Sequence, residues 1–277
     1  MATIQNLNKI AGQQQNNQIL NSINKVNKQI GIHQNRLSTG KKINSAEEDV
    51  AGFMIGHTFQ ARNRGLAAAM NNIGDARLSL SVAEGGAINV LDILATMKAK
   101  AIQAANGTLS DADRAAINNE ISALADEIDD VVDETTFNEI ELLAGTDLSV
   151  QSGAETTDTE SVEVSASDHH SSDLGVSEVD VSSSENASAS LASIESAIAT
   201  VKSTVASLGS YQTRFSHKEN RLARAITNTE AARSRIMDAD FAKEKIEETK
   251  ERIKQNTLNA VNAQAQLSAQ SVLKLVL

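Results

Sequence analysis

The chain has 277 residues, with no cysteine, proline or tryptophan and only 2% aromatic residues. The absence of cysteine excludes a disulfide framework, a cysteine-ligated zinc site and a thiol nucleophile. This composition is unlike that of a conventional globular enzyme, which fills its core with aromatic bulk and shapes its loops with proline. The lack of proline favours long uninterrupted helices, and 40% apolar content argues against a disordered chain.

The net charge of −11 is distributed unevenly along the chain. Residues 109–190 hold 21 acidic residues and one basic residue (net −20), whereas the remainder holds 15 acidic and 24 basic residues (net +9). The basic residues are widely spaced and lack interleaved aromatics, so we predict a solvated acidic middle segment and no nucleic-acid binding. The start of the chain has no basic stretch followed by an apolar one, and no stretch approaches ~20 apolar residues. We therefore expect no cleavable secretory signal and no membrane insertion.

The first predicted element is a narrow amphipathic stripe near the start. It consists of Ile19, Ile23, Val26, Ile30 and Leu37, spaced by three or four residues, with polar His33 in step. Such a stripe buries little apolar area, so an isolated arm gains little by folding. We predict that the arm packs when copies assemble; the alternative is a frayed tail.

A long rod follows, from about Ile55 to Ala101. Its apolar residues keep an unbroken heptad spacing, which includes Leu66, Ile73, Leu80 and Leu94. A stripe of this period is buried only against other helices, so the pattern predicts a multi-helix coiled coil. A shorter helix comes next, and Ser110 and Asp113 have the spacing of a capping box at its start.

Residues 137–187 lack the helical spacing of apolar residues that the preceding segments have. Segments 148–152 and 161–165 alternate with period two around a polar connector, which predicts one small β-hairpin at about 148–165. Residues 166–190 are interpreted as an exposed return loop. His169 and His170 lie in this Ser-rich stretch, and a solvated loop explains them better than a metal site does.

A second rod spans residues 191–236, and its stripe includes Leu191, Ile198, Val205, Leu208 and Leu222. Its length matches that of the first rod, so the two are natural partners in either direction. A final narrow stripe contains Leu258, Val261, Val272 and Leu275. Before it, Glu244, Glu247, Glu248 and Glu251 alternate with Lys and Arg, as is usual for charge pairing on an exposed helix.

No constellation predicts catalysis. The sequence has no phosphate-cradling glycine loop and no serine nucleophile elbow. We therefore predict no enzyme activity, no cofactor and no metal.

Two segments carry a family resemblance. Residues 36–52 read RLSTGKKINSAEEDVAG, and residues 208–241 read LGSYQTRFSHKENRLARAITNTEAARSRIMDADF. Both resemble the terminal signatures of bacterial flagellins, and the resemblance covers essentially the whole chain. The signature positions of the first segment are Arg36, Leu37, Ser38, Gly40, Ile43, Asn44, Ser45 and Ala46.

The resemblance implies a mainly α fold, a long antiparallel helical coiled-coil bundle with one small β-hairpin and with its N- and C-terminal helices paired. Residues 1–44 and 237–277 would form an inner layer of polymerisation arms, and residues 45–236 an outer rod layer. The short middle segment indicates a minimal flagellin without outer surface domains.

The implied function is that of a structural subunit, which polymerises with itself into the tubular flagellar filament outside the cell. The alternative within the same family is a hook-filament junction protein. Implied partners are the flagellar export apparatus, an export chaperone, and the cap and junction proteins, with export independent of a cleavable signal.

Three positions depart from common family patterns. Glu139 follows Phe137-Asn138 where many flagellins have glycine, which leaves the turn geometry open. Leu267-Ser-Ala269 replaces a common Val-Pro, so the terminal helix is expected to run straighter. The positions that an animal immune receptor recognises in many flagellins are Thr96, Ala99 and Lys100 here, so we expect weak or no recognition.

Overall fold

The computed structural model describes the backbone of residues 2–154 and 161–276 and the side chains of residues 13–154 and 161–265. The helices are α1 (Ala2–Thr39), α2 (Val50–Ala104), α3 (Asp111–Glu134), α4 (Ser184–Met237) and α5 (Phe241–Val276). Two short antiparallel strand pairs are β1 (Thr136–Phe137) with β2 (Ile140–Glu141), and β3 (Leu148–Gln151) with β4 (Ser161–Val164). This confirms the predicted mainly α fold class.

The chain divides into two compact units. The terminal unit contains Met1–Ala61 and Thr229–Leu277, and the central unit contains Arg62–Asn228. These boundaries lie inside α2 and α4, whereas the predicted layer boundaries at residues 44 and 237 lie just before α2 and at the end of α4. The assignment of inner and outer layers concerns the assembled polymer, and it stays a prediction.

Helix α2 supplies the core of the central unit. Its buried positions follow an unbroken three-four spacing from Leu66 to Ala104, and Ile73, Val90, Leu94 and Met97 are fully inaccessible. This is the heptad spacing that the sequence predicts. By length and composition alone, α2 also contains an 18-residue window, with mean hydropathy 1.4, that could cross a membrane. In this structure 39% of that window is buried.

Helix α4 runs antiparallel to α2 in the central unit. Arg77 pairs with Glu219 at 2.6 Å near one end, and Lys98 pairs with Glu195 at 2.7 Å near the other. One line of buried α4 positions recurs every seven residues. They are Ala187, Ile194, Val201, Leu208, Phe215 and Leu222, all buried.

The other seam position of α4 is largely polar, which the apolar pattern did not reveal. Ser190 and Lys218 are buried there, and Thr204 is half-buried. Ser190 donates to the Asp180 carbonyl at 2.8 Å, and Lys218 donates to the Ser152 hydroxyl. These side chains fasten the hairpin and the following loop to α4.

Helix α3 begins with the predicted capping box. The Ser110 hydroxyl accepts from the Asp113 N–H, and the Asp113 carboxylate accepts from the Ser110 N–H. The hydrogen bonds from Ser110 lower the pKa of the Asp113 carboxyl. Arg114 is buried and donates to the Ala104 carbonyl at 3.1 Å, so it satisfies an acceptor at the C-terminus of α2.

The predicted hairpin is confirmed. Leu148 pairs with Val164 and Gln151 with Ser161, which sets an antiparallel register over four residue pairs. A second strand pair, β1 with β2, was not predicted. Asn138 and Glu139 adopt positive φ angles of 51° and 66° in its turn, so the turn forms without the glycine common in the family.

The prediction of an exposed loop at 166–190 is wrong in two respects. Helix α4 already begins at Ser184, and the preceding loop buries His169, Leu174, Val176 and Val181. These side chains join the core because the loop is fastened along its length to α3 and α4. The Ser171 N–H, for example, donates to Asp129 at 2.6 Å.

The interpretation of both histidines as solvated is correspondingly wrong. His169 is fully buried, and its Nε2 lies 2.9 Å from the Thr204 hydroxyl. His170 is half-buried, with Nδ1 at 2.6 Å from Asp168 and Nε2 at 3.1 Å from Asp133. Hydrogen bonds to Asp133 and Asp168 raise the pKa of His170. Its charged ring can donate to both carboxylates at once.

Candidate functional site

The two terminal arms pair with each other inside the terminal unit. Asn27 contacts Gln255 at 2.6 Å and His33 contacts Glu244 at 2.6 Å, so α1 and α5 are antiparallel. The predicted α1 arm residues line this contact: Ile19, Val26 and Ile30 are buried, and Ile23 and Leu37 are half-buried. In the free chain, therefore, this stripe packs against the chain's own second arm.

The predicted α5 arm residues are placed differently. Leu258 is half-buried toward α1, whereas Val261 is 44% exposed. The side chains of Val272 and Leu275 lie outside the described residues. The α5 positions that face α1 instead begin with Glu244, Glu248 and Glu251, all of which are buried. The interpretation of this glutamate run as an exposed charged face is wrong for these three residues, because they lie on the paired side of the helix.

The buried glutamates are neutralised by basic residues around them. Glu244 contacts both His33 and Arg36, the latter at 3.5 Å. Glu248 contacts Lys245 at 2.6 Å and Arg252 at 2.8 Å. Hydrogen bonds from Lys245, and then from Arg252, lower the pKa of Glu248 to about 2. The expected spacing of three and four residues is present, and it keeps Glu248 ionised where the arms meet.

The outer side of the arm pair carries exposed apolar residues. Ile246 and Ile253 of α5 are 66% and 61% exposed and lie one heptad apart. Val261 of α5 and Leu20 of α1 are each 44% exposed. We call Leu20, Ile246, Ile253 and Val261 the outer apolar set. Sequence reasoning missed Ile246 and Ile253, because charged residues surround them; their seven-residue spacing was the available signal.

The family-signature segment forms a clasp with the chain entering α5. The Lys42 N–H donates to the Met237 carbonyl at 2.6 Å, and the Ala239 N–H donates to the Gly40 carbonyl at 2.9 Å. Gly40 has φ 68°, a conformation that a side chain would strain. Two chain segments distant in sequence are thereby held together where α1 ends and α5 begins.

The remaining signature side chains hold the turn after α1. Arg36 lies 3.9 Å from Glu48, the Asn44 N–H donates to Glu48 at 2.8 Å, and Ile43 is buried. The Ser45 carbonyl accepts from the Glu48 N–H. Leu37 is half-buried, whereas Ser38 and Ala46 are exposed. The signature therefore has a local structural role in this chain, and three of its positions, Ser38, Ser45 and Ala46, stay exposed.

The predicted coiled-coil seam residues fall into two groups. Leu66, Ile73, Leu80, Leu94, Leu208 and Leu222 are buried in the core of the central unit. Leu191, Ile198 and Val205 are only partly buried and pack against that core. The deeper positions beside them are Ile194, Val201 and Phe215, which the apolar stripe of α4 also contains.

A groove of about 430 Å³ lies between α4 and the chain after β4. Its lining consists of serine and threonine side chains with one alanine and one leucine, and it contains no titratable group. Such a lining supplies neither an acid nor a base for catalysis. Among the side chains described, those of residues 13–154 and 161–265, no group of three or more His, Asp or Glu is arranged to hold a metal ion.

Comparisons with known proteins agree with this architecture. Residues 10–147 match the bacterial flagellin N-terminal helical region, and residues 191–276 match the bacterial flagellin C-terminal helical region. A flagellin of Halalkalibacterium halodurans is 32% identical over 243 residues, which cover 87% of this chain and 89% of that protein. Polar flagellin C of Vibrio parahaemolyticus is 40% identical over 123 residues, which cover 44% of this chain but 32% of that protein.

A solved structure shares the fold. A Vibrio parahaemolyticus protein, provisionally named as flagellar hook-associated, superposes with a TM-score of 0.56 at 15% identity, covering 69% of this chain and 99% of that chain. The paired terminal helices, the antiparallel rods and the two matched terminal regions lead to one assignment. The chain belongs to the bacterial flagellin family.

Proposed function

We propose that this chain polymerises into the flagellar filament through its paired terminal arms. As a flagellin it is a structural filament subunit and not an enzyme. The observation that carries the proposal is the outer apolar set. Ile246 and Ile253 are more than 60% exposed on a surface helix, and contact with water is unfavourable for their apolar side chains. Burial against another copy would remove this apolar area from water.

The residues first assigned to polymerisation take two roles in this proposal. Ile19, Ile23, Val26, Ile30, Leu37 and Leu258 hold α1 and α5 together, so they prepare each arm pair as a unit. Ile246, Ile253 and Val261 then contact neighbouring copies. A preformed pair lowers the entropy that must be lost when a subunit joins the filament.

We further propose that residues 1–44 and 237–277 form the inner layer of the tube and residues 45–236 the outer layer. The charge distribution supports this arrangement. In the described part of 109–190 every charged residue except Arg114 is acidic and most of these acidic residues are exposed, so many copies facing outward would give the filament an acidic surface.

Export through the flagellar export apparatus, with a dedicated chaperone and with cap and junction proteins at the growing end, belongs to the same proposal. Its support is the family membership and the composition. A chain with no cysteine and no proline refolds at the filament tip without disulfide exchange or slow prolyl isomerisation.

The experiment is seeded polymerisation of the purified chain, followed by sedimentation and negative-stain electron microscopy. The proposal predicts long tubular filaments. A chain that stays monomeric at all concentrations and with its own filament fragments as seeds would overturn it. Filaments that stop after a short, defined length would instead indicate the junction-protein alternative, which no present observation favours.

Weak recognition by the animal immune receptor stays a prediction. The Lys100 ammonium pairs with Glu120, and the Thr96 hydroxyl donates to the Asp92 carbonyl at 3.0 Å. Both side chains therefore already have a partner within the chain. A strong receptor response to purified monomer would contradict this expectation.

A further inference from the structure

Helix α4 carries an arginine stripe on its exposed side. Arg214, Arg221 and Arg224 are exposed, and none has an ion-pair partner within residues 13–154 and 161–265. Their spacings of seven and three residues, with exposed His217 between them, place them on one side of the helix over about 15 Å. Free arginines in such a row are suited to carboxylates on another surface.

Helix α3 carries a shorter acidic stripe, over about 10 Å. Glu127, Asp130 and Glu134 are exposed at spacings of three and four residues, on the side opposite the buried Ile121 and Ile128. No ion pair to them is found among the described residues. The neighbouring Asp129 and Asp133 differ, because they hold Ser171 and His170 of the loop.

The two stripes are displaced along α2, so they do not meet within one chain. Lys100 of α2 pairs with Glu120, and Gly86 of α2 lies against Thr135, so α3 covers residues 86–100 of α2. Arg77 of α2 pairs with Glu219, which lies within the stretch of α4 that carries the arginine stripe. Each copy thus presents one stripe of each sign at different heights.

We propose that the arginine stripe of one copy docks against the acidic stripe of a second copy in the filament. This inference rests on the proposed polymerisation. Because the two stripes are different surfaces of the same chain, the contact is heterologous, which is the type of contact that an open helical polymer requires. Its charges steer subunits into register, and added salt weakens the contact.

The test uses two variants of the full chain that reverse one stripe each. Arg214→Glu with Arg221→Glu makes both stripes acidic, and Glu127→Lys with Glu134→Lys makes both basic. In each pair the substituted residues are one heptad apart and exposed, so the helices should form; circular dichroism and melting temperature check this. Elongation from wild-type seeds is followed by sedimentation.

Each variant alone should elongate at least tenfold more slowly than the wild type, and an equimolar mixture should elongate at a rate near wild type. The mixture restores opposite charges at every contact, because acidic and basic copies alternate. The single variant Arg221→Glu should also elongate more slowly than the wild type, and Lys202→Glu, an exposed charge reversal elsewhere on α4, is its matched control and should elongate normally.

Normal elongation of either double variant alone would overturn the docking proposal, and so would failure of the folded mixture. In those cases the wild type still forms filaments, and the proposed function stands. Failure of the wild type itself to polymerise would overturn both proposals.

Discussion

At the scale of single residues, Glu139 occupies a backbone conformation that its side chain disfavours. Its φ of 66° and the 51° of Asn138 form the tight turn between β1 and β2. Such a turn suits asparagine followed by glycine, and a residue with a Cβ costs roughly 1–2 kcal/mol in the left-handed region. The short strands nevertheless pair, because the Leu142 N–H donates to the Thr135 carbonyl at 3.1 Å and Leu143 is buried.

Glu139→Gly should raise the free energy of unfolding by about 1 kcal/mol, because it removes this strain. Urea denaturation followed by circular dichroism measures the change. Glu139→Ala is the control: it removes the same carboxylate but keeps the Cβ, so it should not stabilise. Equal effects of the two substitutions would assign the change to the charge and not to the backbone.

Glu248 makes the stability of the arm pair depend on pH. Its pKa falls from 4.5 to about 2 because Lys245 and Arg252 donate hydrogen bonds to the carboxylate. A lowered pKa means that the folded state favours the ionised form. The stabilisation is therefore complete above about pH 4.5 and is lost as the pH falls through about 2.

Glu248→Gln should make the α1–α5 amides less protected from hydrogen exchange at pH 7. The difference from the wild type should shrink steadily between pH 4.5 and pH 2, as the wild-type carboxylate becomes protonated. Exchange detected by mass spectrometry at matched pH values measures it. A difference that stays constant over this range would show that the ionised carboxylate is not the stabilising form.

At the scale of helices, α5 presents charged residues toward α1 and isoleucines toward solvent. Glu244, Glu248 and Glu251 are buried, while Ile246 and Ile253 are exposed. An isolated helix would normally be oriented the other way. The arrangement makes sense when both sides are eventually covered, one by α1 with its basic partners and the other by a neighbouring copy.

Ile246→Ser with Ile253→Ser should leave the monomer folded and raise the critical concentration for polymerisation at least tenfold. Burying each isoleucine contributes about 1.5–3 kcal/mol, and 1.4 kcal/mol corresponds to a factor of ten. Thr249→Ala with Asn256→Ala, also exposed and one heptad apart on α5, is the matched control. A critical concentration unchanged by the isoleucine substitutions would remove the outer apolar set from the interface.

How far the sequence predicts these helices depends on whether the buried positions are apolar. Helix α2 is fully predictable, since every seam position from Leu66 to Ala104 is apolar. One of the two α4 seam positions does not show in the apolar pattern of the sequence. Ser190, Thr204 and Lys218 lie there and form hydrogen bonds with distant loop and hairpin atoms. Apolar periodicity carries no signal for a buried polar residue whose partner lies elsewhere in the chain.

The loop before α4 illustrates the same limit. Its serines and aspartates are typical of solvated segments, yet the Ser171 hydroxyl donates to Asp129 of α3 and His169 is buried in the core. Ile246 and Ile253 were missed for a different reason, since single isoleucines among charged residues resemble ordinary surface positions. The clasp at Gly40 and Lys42 was not predicted either, because its hydrogen bonds join backbone atoms to the distant Met237 and Ala239, which no local pattern reports.

At the scale of the whole molecule, the chain combines two compact units with different chemistry. The terminal unit pairs two arms and displays apolar residues, as a polymerising surface does. The central unit buries a long apolar core and carries the acidic segment on α3 and the following loop. The net charge of −11 is therefore less informative than its distribution along the chain, because the acidic segment 109–190 lies entirely within the central unit.

Cryo-electron microscopy of filaments grown from the wild-type chain tests this account most directly. The account predicts a tube whose inner wall consists of paired α1 and α5 helices. Ile246 and Ile253 should be buried against neighbouring copies. Residues 109–190 should face outward, apart from the acidic stripe of α3, which should contact a neighbouring copy. A reconstruction in which the arms are unpaired, or in which these isoleucines remain in solvent, would contradict it.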